Sequence, residues 1–127
     1  MDNNVEIEEA IKAFIGNKTE EQLATTLSIM RHNLDKEVIV SVDQQENGLV
    51  LKPVRTSDGK LWFMVFTSFE EQLKNSKAVQ SMFSASLKKV FMFTLENIDV
   101  EGVIINPYGS SMSLNRKIIQ VVLGKIR

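Results

Sequence analysis

One uninterrupted apolar stretch decides the fold class, and it reads Leu61-Trp62-Phe63-Met64-Val65-Phe66. Neighbouring side chains of a strand point to opposite faces of its sheet, so a strand that is apolar throughout is covered on both faces. The stretch therefore predicts a central strand. Asp58-Gly59 stands just before it, and this pair tolerates the positive φ angles that a tight hairpin turn needs.

Two further strands are predicted before the central one. Residues 37–42 and 49–54 are rich in β-branched side chains, which favour extended backbone. A polar loop that ends in Asn47-Gly48 separates them. Pro53 has no N–H to donate to a ladder, so we expect the second of these strands to lie at an edge or to be bulged there.

Helical spacing of apolar residues marks most of the remaining chain. Amphipathic patterns over residues 5–15 and 19–34 predict two helices joined by a short loop, which form an N-terminal helical hairpin. A capping-box pattern predicts a short helix over residues 68–74. Residues 86–95 fit either a helix or a buried strand, and their length and flanking serines favour a helix. Residues 114–122 predict the last helix.

The complete order of elements is α-α-β-β-β-α-β-α-β-α. Residues 78–83 and Gly102-Val103-Ile104-Ile105 supply its last two strands. This order predicts an α+β fold in which a mixed β-sheet carries helices on both faces. The length of 127 residues and the hydrophobic content of 43% fit a single domain over residues 1–127.

Composition and charge exclude several classes of function. The chain has no cysteine, which removes disulfides, thiolate metal sites and a cysteine nucleophile. Its net charge of -1 lacks the basic excess of nucleic-acid-binding proteins. No apolar run is long enough to cross a membrane, and the N-terminus lacks the basic and apolar parts of a secretory signal. We therefore expect a cytoplasmic protein with no nucleic-acid or membrane partner.

The charges are nevertheless distributed unevenly along the chain. Residues 1–50 contain ten acidic and four basic side chains, whereas residues 51–127 contain six and eleven. The two halves could simply fold against each other, which is the simpler interpretation. The same asymmetry could also drive self-association.

No group of residues forms a catalytic or metal-binding motif. His32 is the only histidine, and we interpret it as a surface or boundary residue. The serines after Gly109 lack the surrounding pattern of a nucleophile elbow. Pairs of glutamates stand at predicted helix starts, where the helix dipole explains them. The Arg116-Lys117 pair is interpreted as part of a solvated helix face. We expect no catalytic residues, no metal and no cofactor.

The segment with most features of a site follows the predicted strand at residues 102–105. Asn106 could bond a ligand through its amide, Pro107 stiffens the chain, and Tyr108 combines an aromatic ring with a polar end. With Ser110 and Thr67, these residues are our candidates for binding a ligand or partner. The alternative, which we favour, is a structural elbow in which Asn106 bonds to local backbone groups.

Two sequence blocks carry a family resemblance. The first is Asp58-Gly59-Lys60-Leu61-Trp62-Phe63-Met64-Val65-Phe66-Thr67-Ser68, with Glu70, Glu71 and Leu73 behind it, and it resembles the pattern D-G-x-x-x-x-P-V-F-T-S-x-E-x-L. The second is Gly102-Val103-Ile104-Ile105-Asn106-Pro107, which resembles G-x-x-I-N-P. In this order, the blocks resemble the N-terminal domain of the enhanced serine sensitivity protein SseB, over about residues 37–122.

The resemblance implies a small α/β-type domain of poorly defined function, without catalytic residues to carry over. The chain departs from the family pattern at Met64, where proline is frequent. We expect a non-enzymatic interaction module that binds a protein partner or itself, through the strand edge near Pro53 or the surface around Asn106 and Tyr108. The competing hypothesis is a small-molecule-binding or enzymatic domain with a pocket at the strand end, residues 106–110.

Overall fold

The computed structural model describes residues 4–46, 48–74 and 81–124. Within them, five helices and seven strands follow one another. Their order is α1 (Val5–Gly16), α2 (Glu20–His32), β1 (Glu37–Gln45), β2 (Gly48–Leu51), β3 (Pro53–Arg55), β4 (Leu61–Phe66), α3 (Phe69–Leu73), β5 (Ser81–Ser86), α4 (Leu87–Glu96), β6 (Val100–Ile105), β7 (Met112–Asn115) and α5 (Arg116–Val122).

All seven strands belong to one mixed sheet, in which β1 and β4 are central. One edge of β1 pairs antiparallel with β5, and its other edge pairs with β4 and then with β2. The opposite edge of β4 pairs with β6 in parallel, and β6 pairs antiparallel with β7. The carboxyl ends of β4 and β6 therefore lie side by side.

The α+β class, the starting helical hairpin and the predicted order of elements are confirmed. The strand expected over residues 49–54 is interrupted at Lys52, beside Pro53, so β2 bonds to β1 and β3 bonds to β4. The helix expected over residues 86–95 is α4, and the Ser86 side chain caps it by accepting from the Lys89 N–H. Part of the strand expected over residues 78–83 lies outside the described residues.

The last helix begins later than predicted, because residues 112–115 form strand β7 instead of its first turn. Met112 and Leu114 are buried while Ser113 and Asn115 are exposed, which is the alternation of a strand. Asn115 then caps α5 by accepting from the Ile118 N–H at 2.9 Å.

Arg116 also differs from its prediction, because it is not part of a solvated face. Its guanidinium is half-buried and donates four hydrogen bonds to backbone carbonyl groups at the end of α4 and just beyond. The acceptors are the carbonyl oxygens of Thr94, Leu95, Asn97 and Val100. A cation there satisfies carbonyl groups that the helix leaves unpaired and complements its dipole.

The main core lies between the sheet and helices α1, α2, α4 and α5. Its fully buried members include Ile11, Met30, Phe91 and Ile119 from the helices, packed on strand residues such as Val65. Side chains of β4 that point to the opposite face are buried too. There Phe66 stacks against Tyr108 with ring centroids 5.5 Å apart. The short helix α3 and the segment after β6 thus cover the second face of β4, as a doubly apolar strand requires.

Candidate functional site

Asn106 forms an elbow between the ends of the two parallel strands. Its backbone has φ of 53° and its side chain is 2% exposed. The Asn106 N–H donates to the Val65 carbonyl at 2.7 Å, and the side-chain oxygen accepts from the Thr67 N–H at 2.9 Å. The side-chain amide nitrogen donates to the Thr67 hydroxyl at 2.9 Å. The side chain is therefore bonded to the neighbouring strand end on both its polar atoms.

Thr67 extends these bonds to the first helix. Its hydroxyl donates to a carboxylate oxygen of Glu8, and its carbonyl oxygen accepts from the Asn4 side-chain amide at 2.9 Å. The same Asn4 amide donates to the Glu37 carbonyl at 2.8 Å. We call Asn4, Glu8, Thr67 and Asn106 the polar cluster. It joins the start of α1 to the start of β1 and to the ends of β4 and β6.

The two sequence blocks of the family pattern meet at this cluster. Val65 lies opposite Ile105 in the parallel ladder, and Thr67 and Asn106 follow directly. Gly102 in the second block is required by packing, since a Cβ atom there would lie 2.0 Å from the Leu114 carbonyl oxygen. The blocks thus hold β4, β6 and β7 together.

None of the clefts described here is lined by Asn106, Pro107, Tyr108 or Ser110. The Tyr108 ring stacks on Phe66, and its hydroxyl lies 3.8 Å from the Met64 sulfur. Pro107 and Ser110 are half-buried beside it. Of the five predicted residues, Thr67 contributes to the largest of the clefts described here, and the other four do not line it.

That cleft has a volume of about 460 Å³ and lies beyond the carboxyl end of β4. Residues 67–70 form its wall, and β1 and β5 form its floor. Both charged side chains of the lining, Glu37 and Glu70, are acidic, so we call it the acidic cleft. Its full lining is Asn4, Glu37, Ile39, Thr67, Ser68, Phe69, Glu70, Met82, Phe83 and Ser84.

Large apolar side chains remain exposed around the acidic cleft. Phe69 is 62% exposed and Phe83 is 52% exposed, and both line the cleft. Leu73 follows Phe69 by one helical turn on α3 and is 65% exposed. Neither phenylalanine has buried its ring, although each borders the same depression.

Comparison with known families identifies the domain. The model of the SseB protein N-terminal domain matches residues 7–120. The chain belongs to the SseB family. The match includes both sequence blocks and every strand from β1 to β7. Searches of curated proteins and of solved structures give no significant match.

Membership in the SseB family establishes the type of domain, but the function of that domain is poorly defined and points to no functional residues in this chain. In the residues that the structure describes, no group of three or more His, Asp or Glu side chains is placed to hold a metal ion. His32 is exposed at the end of α2. No helix within the same described ranges is long and apolar enough to cross a membrane.

Apart from Thr67, the residues of the acidic cleft in this SseB domain were missed by sequence reasoning. Glu37, Phe69 and Phe83 come from three distant parts of the chain, and each alone fits a strand or a helix. One local signal was present: Phe69 and Leu73 stand one turn apart in a helix of five residues. A helix so short covers little of the core, so an apolar pair on it is more often exposed at the surface.

Proposed function

We propose that this SseB domain is a non-enzymatic protein-interaction module that binds a partner through the acidic cleft. One observation carries the proposal: Phe69 and Phe83 line a single cleft and are each more than half exposed, and Leu73, one helical turn after Phe69, is exposed as well. Single exposed apolar residues are common on monomers, whereas a group of them beside a depression is typical of an interaction site. Aromatic side chains in particular are enriched where partners bind.

The cleft is a better candidate than the surface around Asn106 and Tyr108. The amide of Asn106 already bonds to Thr67, so a ligand would have to replace internal hydrogen bonds to reach it. The edge near Pro53 is also less suitable, because β3 is only three residues long. Asn106 supports the cleft indirectly, by holding Thr67 in its wall.

A binding role suits the chemistry of the cleft better than catalysis does. The Ser68 side chain caps α3 by accepting from the Glu71 N–H at 3.3 Å. The Ser84 hydroxyl donates to the Glu37 carboxylate at 2.7 Å. Activation of a serine nucleophile needs a nearby general base that is held in place by a third group. Among the residues that the structure describes, neither serine is paired with a histidine or lysine, and both instead stabilise local structure.

The proposal is tested by quantitative affinity purification from the native host. The bait proteins are the wild type, the double variant Phe69→Ser with Phe83→Ser, and the control variant Ile98→Ser. Ile98 is 83% exposed and precedes β6, at the end of the sheet opposite to the cleft. Because all three side chains are exposed, the substitutions should change stability by only about 0.5 kcal/mol each.

We expect the partners of the wild type to remain bound to the Ile98→Ser variant and to be lost from the double variant. Circular dichroism and thermal denaturation verify that both variants fold. An unchanged set of partners on the double variant would refute the proposal. A saturable thermal stabilisation of the wild type by a metabolite would instead favour the small-molecule hypothesis.

A further inference from the structure

Strand β5 is an edge of the sheet within the described residues. It pairs with β1 from Glu37–Ser86 to Val42–Ser81, and no described strand pairs with its other side. Its sequence is Ser81-Met82-Phe83-Ser84-Ala85-Ser86, which contains no charged residue and no proline. Proteins usually block an edge strand with such residues, because its unpaired N–H and C=O groups can bind another strand.

The two faces of the β5 edge differ in chemistry. The acidic cleft lies on one face, with Glu37 and Glu70 in its lining. On the other face, beneath α4, lies a second depression of about 400 Å³ that we call the apolar groove. Its lining is Val40, Val42, Val50, Leu51, Phe83, Ala85, Lys89, Val90 and Phe93. Phe83 borders both depressions from its position at the edge.

We propose that an extended segment of a partner protein adds to β5 as a further strand, with basic and apolar side chains in alternation. Side chains of a strand alternate between the two faces of its sheet. Those on one face would meet the carboxylates of the acidic cleft, where a lysine or arginine is favoured. Those on the other face would meet the apolar groove. Hydrogen bonds along the β5 edge would supply the sequence-independent part of the affinity.

Charge complementarity favours such a partner over a second copy of this chain. Pairing of β5 with its own copy would bring in a strand that has no basic residue. Glu37 and Glu70 of both copies would then face an incoming strand that offers them no positive charge, whereas a basic segment would neutralise them. The inference rests on the proposed function and specifies the partner's chemistry.

The test uses fluorescence anisotropy with the intact chain and five labelled synthetic peptides of about eight residues, the length of an ordinary strand. One alternates lysine and valine, and one alternates glutamate and valine. A third has a block of lysines followed by a block of valines. The fourth and fifth are the first peptide with every second backbone nitrogen methylated, one on the odd-numbered and one on the even-numbered residues. We expect saturable binding of the lysine–valine peptide, with the glutamate and block peptides weaker by about tenfold or more.

Of the two methylated peptides, one should not bind, because its methyl groups replace the N–H groups that face β5. The double variant Glu37→Gln with Glu70→Gln should bind the lysine–valine peptide about three- to tenfold more weakly, as expected for two exposed ion pairs. The matched control, Glu20→Gln with Glu21→Gln, makes the same change in charge on the exposed start of α2 and should leave binding unchanged.

Four results of the peptide experiment would overturn the proposal. They are no saturable binding of the lysine–valine peptide, equal binding of the block peptide, equal weakening in the control variant, and tolerance of methylation in both registers. In another outcome, the peptide fails to bind while the capture of partners still depends on Phe69 and Phe83. That result would reject strand addition and would still support the proposed function. A concentration-dependent dimer that Phe83→Ser abolishes would replace the partner with a second copy and also reject it.

Discussion

Replacement of Asn106 by alanine tests whether the elbow is structural. The side chain is 2% exposed and makes two hydrogen bonds with Thr67. Alanine leaves the buried N–H of Thr67 without its acceptor, which costs about 1–3 kcal/mol, and removes a second bond worth about 1 kcal/mol. An alanine at the φ of 53° adds about 1–2 kcal/mol of backbone strain. We expect the free energy of unfolding to fall by about 3–6 kcal/mol, out of about 5–15 for an ordinary domain.

The glycine variant separates the strain from the lost hydrogen bonds. Asn106→Gly loses the same two bonds, but glycine adopts a positive φ without steric cost. It should therefore be more stable than the alanine variant by about 1 kcal/mol. At a position with ordinary backbone angles, glycine is instead less stable than alanine by about 0.5–1 kcal/mol. The sign of the difference thus reports the backbone conformation directly.

The free energies come from urea denaturation followed by circular dichroism and by the fluorescence of Trp62, the only tryptophan. An alanine variant within about 1 kcal/mol of the wild type would refute the hydrogen-bonded elbow. A glycine variant no more stable than the alanine variant would refute the positive φ. Either result would reopen the hypothesis that Asn106 faces a ligand.

Three further predictions concern packing, helix capping and a surface turn. Gly102→Ala should cost about 3 kcal/mol or more in urea denaturation, because its Cβ would lie 2.0 Å from the Leu114 backbone oxygen. Arg116→Ala should lower the free energy of unfolding by about 2–3 kcal/mol, and Arg116→Lys should recover less than half, since an ammonium group cannot reach the four carbonyls together. In the turn, the Thr56 hydroxyl and then the backbone N–H of the turn hold the pKa of Asp58 below its usual value. These hydrogen bonds stabilise the folded protein at pH values above the usual carboxyl pKa, and the stabilisation is lost as the pH falls through the lowered pKa of Asp58 in the folded protein. Thr56→Val should raise the pKa of Asp58 in an NMR titration.

Each of these predictions has a contradicting outcome. The control for the first is Gly16→Ala, because a Cβ at Gly16 would meet nothing within 4 Å, and equal stability of the two variants would contradict the close approach of β7. Full recovery of stability by Arg116→Lys would show that charge alone matters there. An unchanged pKa of Asp58 in the Thr56→Val variant would exclude the hydroxyl as its cause.

Local pattern was sufficient for the elements that carry their own signal. Helices α1 and α2 show the apolar spacing of amphipathic helices, and β4 is apolar on both faces and is central in the sheet. Strand β7 was missed because its four residues are half polar and because its pairing with β6 includes a close approach that Gly102 permits. The interruption at Lys52 depends on β2 and β3 having different partners. Pro53 signalled an irregularity there, but neither the different partners of β2 and β3 nor the pairing of β7 has a local cause that a sequence pattern reports.

The candidate site also has one part that the sequence predicted and one part that it did not. The chemistry of asparagine before proline marked Asn106 as unusual, and both alternatives for it, ligand or elbow, were open from the sequence. The partner that decides between them is Thr67, 39 residues away along the chain. The acidic cleft has no local pattern at all, since Glu37 and Phe83 line one cleft only because β5 pairs with β1.

By itself, the sequence determined most of the helices and strands, the family to which the chain belongs, and the residue types at the strand ends. Apolar periodicity and the backbone preferences of glycine, proline and asparagine act within a few residues, so a linear pattern contains them. Only the tertiary structure decided that Asn106 is occupied internally and that Glu37, Glu70, Phe69 and Phe83 surround one cleft. Those neighbours are set by the pairing of strands that are far apart in the chain, and strand pairing is decided by the packing of the whole sheet.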